Sequence, residues 1–152
     1  MSVALAFHVL AVVIWVGGMF FAYMALRPAA AAVLEPSQRL TLWSNVFARF
    51  FPWVWASIIA ILASGYWMLF VYFGGMANVP VFVHIMNGLG LVMMLIFFYV
   101  YFSPYQHLRE YVLGMRWQEA GKALARIRTL IAVNLSIGLL TVTIAAAGKY
   151  FL

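Results

Sequence analysis

The chain has 152 residues, 68% of them hydrophobic and only 8% charged, and its mean hydropathy is +1.05. A soluble domain carries about 25% charged residues and roughly half apolar ones, so this composition describes an integral membrane protein forming a single domain over residues 1–152. The absence of cysteine excludes disulfides, iron–sulfur clusters and thiolate metal sites.

The first apolar run, about Val3 to Leu26, is long enough to cross the roughly 30 Å of hydrocarbon in a bilayer. It has no basic leader and runs to full spanning length, which predicts a retained span rather than a cleaved signal. Arg27-Pro28 is expected to end it. The following connector is alanine-rich and then polar, and is expected to hold a short interfacial helix, Arg39 to Phe50, anchored by Trp43, Phe47 and Phe51. A second span is expected over about Pro52 to Phe73, then an uncharged turn, Gly74 to Pro80. The third covers about Val81 to Phe102, stopping near Ser103-Pro104. A polar loop, Tyr105 to Arg128, follows; its second half, Trp117 to Arg128, has the pattern of a basic amphipathic helix lying on anionic headgroups. The fourth span is about Thr129 to Gly148. The fold class is therefore all-α, a four-helix membrane bundle, because no segment shows the alternation of a barrel strand.

Charge sets the orientation. The first connector holds Arg27, Arg39 and Arg49, and the third holds Arg109, Arg116, Lys122, Arg126 and Arg128. Of the nine basic residues only Lys149 remains, after the fourth span. Connectors one and three share a side in a four-span chain, so that side is cytoplasmic and both termini are outside, as in a multi-pass protein of a prokaryotic inner membrane. The net charge of +6 is thus a topology signal, and nucleic acid is not an expected partner.

Two histidines lie inside spans. His8 is about five residues into span one and His84 about three into span three, which places both within roughly 5–8 Å of the outer hydrocarbon boundary at 1.5 Å per residue. Ionisable groups at such depth are functional by default. His8, Ala11, Trp15, Gly18 and Ala22 form one helical stripe, and His84, Asn87, Gly88 and Leu91 another. Asn134, Gly138, Thr141, Ala145 and Gly148 make a close-packing stripe on span four. Two imidazoles facing one another across a gap suit the two faces of a haem b iron. Trp15 would then pack near the porphyrin, Asn87 would orient a histidine or ligand, and Lys149 would meet the propionates. The same pair, His8 and His84, is the candidate copper site, although Cu(I) prefers clustered soft sulfur ligands and no Met-x-x-x-Met pair occurs. A third alternative is that the histidines only pack.

The segment His8-x-x-Ala11-x-x-x-Trp15-x-Gly17-Gly18-Met19-Phe20 resembles the first-helix motif shared by copper-resistance D (CopD-like) membrane proteins and HemJ-type protoporphyrinogen oxidases. In layout the resemblance covers nearly the whole chain: His84 opens a later helix, a basic loop follows, and Arg126-Ile127-Arg128 leads into the last span. The HemJ-type resemblance implies a b-type haem and an oxidoreductase acting on protoporphyrinogen. In that family a lysine typically stands two residues after the later histidine, where this chain has Met86, a departure that weakens the oxidase expectation. The CopD-like resemblance implies copper import or resistance at the inner membrane. The expected function is therefore a haem-b redox protein with bis-histidine ligation, taking a quinol or porphyrin as partner; the alternative is copper transport or resistance through the same histidines. A homo-oligomer within the lipid bilayer stays open.

Overall fold

In the computed structural model, which describes residues 1–151, the chain forms four long helices, each apolar enough to cross a membrane. They are α1 (Ser2–Val33), α2 (Pro36–Tyr72), α3 (Val81–Leu113) and α4 (Trp117–Phe151). No strand occurs among the described residues. The class is all-α and the chain is a multi-pass membrane protein in contact with lipid.

The helices outrun the spans expected from hydropathy, and two prolines explain why. Pro28 has no N–H to offer the Met24 carbonyl, and its ring crowds that group. The chain answers with a π-helical turn, Ala22–Leu26, immediately before it, and α1 continues to Val33 instead of ending at Arg27. Pro52 sits inside α2, so the expected interfacial segment Arg39 to Phe50 is the first half of a spanning helix. A capping box at Glu35 and Gln38, with Pro36 at the first helical position, starts α2 directly after the two-residue link from α1. A second π-turn, Met68–Tyr72, closes it. In α3 the expected stop at Ser103-Pro104 is only a break, with Ser103 at φ −121° and ψ −88°, after which Pro104–Leu113 resumes the helix. The basic segment Trp117 to Arg128 and the fourth span are one continuous helix. His107, within the expected polar loop Tyr105 to Arg128, lies exposed on that resumed helix and stacks on Tyr111.

The helices pair as two hairpins, α1 on α2 and α3 on α4, with α4 also touching α1 and α2. Small residues set the close contacts. A Cβ on Gly138 would lie 3.0 Å from Val16 Cγ2 and 3.1 Å from Met93 Cε, so α4 meets α1 and α3 at that level. One on Gly148 would lie 2.9 Å from Phe82 Cβ, joining the end of α4 to the start of α3. Between α2 and α3 the spacing is filled by rings. Phe51 stacks on Phe47 at 4.9 Å and meets Tyr105 edge-on at 4.8 Å; Trp55 stacks on Phe98 at 5.2 Å. Trp43, Phe47 and Phe51, expected as interface anchors, are thus core residues. Because α2 continues through them, they face protein rather than headgroups.

Candidate functional site at the outer end of the bundle

The antiparallel order brings the start of α1, the end of α2, the start of α3 and the end of α4 to the end that the basic residues avoid. Each of the expected site residues except Trp15 lies there. The His8 imidazole turns onto α2, with Nδ1 3.0 Å from Ser64 Oγ. Ser64 is buried and its hydroxyl donates to the Ala60 carbonyl one turn back. With its proton directed to Ala60, the serine oxygen faces His8 as an acceptor, the arrangement that pairs with the Nδ1–H tautomer of the ring. In that tautomer Nε2 carries the lone pair. Gly65 allows the approach: a Cβ there would stand 3.1 Å from His8 Cε1. Met68, buried and one turn outward from Ser64 on the same helix, places a thioether on that face.

Across the gap, Tyr66 on α2 donates from its hydroxyl to Asn87 Oδ1 on α3 at 3.2 Å. That bond ties the two hairpins together where no small residue does. Asn87 is thus engaged with a tyrosine rather than with an imidazole. His84 is exposed, as are Gly88 and Leu91 of its stripe. The packed face of α3 runs instead through Met93, Phe97 and Val100, which rotates His84 away from the interior. The expected arrangement of two imidazoles facing each other across a gap is therefore not what these helices present: one is turned onto α2, the other outward. The first stripe fares differently, since Ala11, Trp15 and Ala22 are all buried. Trp15 meets Phe97 edge-on at 6.3 Å, deep in the core and away from the outer end. Lys149 Nζ sits 4.9 Å over the Tyr150 ring, at the same end as His84 through the Gly148–Phe82 contact.

Ser64 is the neighbour of His8 that sequence patterning overlooks. Its only cue is a small pair, Ser64-Gly65, in the outer half of span two. Among the described residues no group of three or more His, Cys, Asp or Glu side chains gathers as a metal cage. Two cavities lie elsewhere and neither has a histidine in its wall: one of about 430 Å³ at the basic end, and one of about 20 Å³ beside Trp15 and Asn134. Asn134 donates to the Met93 carbonyl at 3.3 Å, while its buried Oδ1 has no partner. A porphyrin needs an imidazole on each face of its iron and a wall to hold the ring. A His8 turned onto α2 and an outward His84 do not fit that requirement.

Residues 44–147, more than half of the chain, match the protein family described as copper resistance protein D. No curated protein and no solved structure matches. The matched stretch contains Ser64, Met68, His84 and Asn87 but begins after His8.

Proposed function

The chain belongs to the copper resistance protein D family, and from that membership and the outer-end geometry we propose that it handles copper as cargo at the outer face of the inner membrane. The observation that carries the reading is the His8–Ser64 hydrogen bond. It holds the ring by one nitrogen and leaves the other as a free lone pair, the arrangement found in metal-binding histidines whose second nitrogen is anchored to a neighbour. Imidazole and thioether together suit copper, and Met68 supplies the softer donor on the same face. His84, exposed at the same end, is the second imidazole an ion would meet.

A haem-b redox protein on His8 and His84, with a quinol or porphyrin as reductant and protoporphyrinogen oxidation as its enzymatic form, is the reading these residues fit less well. One experiment separates the two. Detergent-purified protein, expressed with copper and haem precursor both supplied, is assayed for copper content and for its visible spectrum. Copper that copurifies with the wild type and is lost in His8→Ala, in a protein without a Soret band, supports the copper reading. A Soret band that disappears in the same variant overturns it.

A further inference from the structure

The basic end of the bundle contains the larger cavity, about 430 Å³, whose wall includes Arg27 from α1, Arg39 from α2 and Arg128 from α4. Arginines from three helices line it, and no carboxylate does. The chain has only three acidic side chains, and their positions account for them. Glu35 caps its own helix, Glu119 pairs with Arg116, and Glu110 is exposed on α3 outside the cavity. Among the described residues none of the three arginines has an ion-pair partner. Arg27 is held with its guanidinium 4.6 Å above the Tyr23 ring.

Like charges gathered around one space repel each other unless an anion sits among them. Apart from Gln118, the rest of the wall is apolar or aromatic, with Tyr23, Trp117 and Leu124 its part-exposed members. A bare inorganic anion would satisfy the arginines and leave the part-exposed Tyr23, Trp117 and Leu124 uncovered. The cavity therefore matches an amphiphile: a phosphate for the arginine fork, which binds its oxygens in pairs, and an apolar body for the rings. At the cytoplasmic boundary of the bilayer, phospholipid is the phosphate-bearing amphiphile always at hand. We infer that this cavity is a specific site for one anionic phospholipid of the inner leaflet, seated with its phosphate among Arg27, Arg39 and Arg128 and its glycerol and first methylenes against Trp117 and Leu124. Such a lipid would clamp the inner ends of α1, α2 and α4 together.

The test uses the full-length protein in a neutral detergent and reads bound lipid by native mass spectrometry. The probes are phosphatidylglycerol, phosphatidylcholine with the same acyl chains, and inorganic phosphate. The expected result is one phosphatidylglycerol retained about tenfold more tightly than phosphatidylcholine, with retention reduced about tenfold in Arg39→Gln and in Arg128→Gln. Arg109→Gln and Arg126→Gln, which remove exposed charges outside the cavity, should leave retention unchanged. Arg128 is itself exposed, so its substitution tests binding without threatening the fold. Equal retention of the two lipids overturns the inference, as does equal loss in the Arg109 and Arg126 variants, which would indicate general surface charge. Inorganic phosphate competing as well as phosphatidylglycerol also overturns it, in favour of a soluble-anion site.

Discussion

At the scale of single residues, Ser64 turns its proton to its own helix and presents its oxygen to the His8 ring, which favours the Nδ1–H tautomer. Ser64→Ala removes the acceptor and frees the His8 ring to rotate and exchange tautomers. Copper affinity should fall about 10–100-fold, the range for losing a partner of a metal-binding histidine, while His8→Ala should abolish binding at that site. Competition against a Cu(I) chelator measures both. Gly65 adds an independent handle, because any side chain there reaches the ring. Gly65→Val should lower copper affinity about tenfold by pushing the imidazole off Ser64, although it removes no ligand. Unchanged affinity in Gly65→Val would show that the position of the His8 ring does not matter to copper.

At the scale of elements, contacts between helices depend on where a side chain would meet a backbone-proximal atom. Gly148 faces Phe82 Cβ, an atom that cannot swing away, whereas nothing lies within 4 Å of Gly17. Gly148→Val should therefore separate α4 from α3 and cost about 1–3 kcal/mol, visible as a lower unfolding temperature in detergent. Gly17→Val should leave that temperature essentially unchanged. The elements also show what the sequence makes legible. Apolar runs locate all four helices, because hydrocarbon demands them. The buried stripe of Ala11, Trp15 and Ala22 follows from helical spacing, as does that of Asn134, Gly138 and Gly148. Pro28 and Pro52 mislead, since a proline reads as a stop while a π-turn or a long helix can absorb one. The stripe of His84 and Asn87 misleads for another reason. In a span that is apolar all round, periodicity does not reveal which side faces protein. Ser64 was hidden because its role comes from the other helix, and the arginine cavity because its three charges are far apart in the chain.

At the scale of the whole molecule, charge and chemistry are divided between two ends. The outer end has the two intramembrane histidines and a single basic side chain, Lys149; the inner end holds the arginine-lined cavity. A cysteine-free chain allows this polarity to be mapped directly. In intact cells, Ala77→Cys in the second connector should react with a membrane-impermeant maleimide. Met115→Cys in the third should react only after the membrane is opened. The reverse pattern would place the histidines on the cytoplasmic side and with them the proposed copper site. The most direct measurement of the central claim is X-ray absorption at the copper edge of the Cu(I)-loaded, purified protein. Imidazole scattering that disappears in His8→Ala, accompanied by a sulfur scatterer that disappears in Met68→Leu, is the predicted result. Copper whose scattering is the same in wild type and His8→Ala would contradict the account.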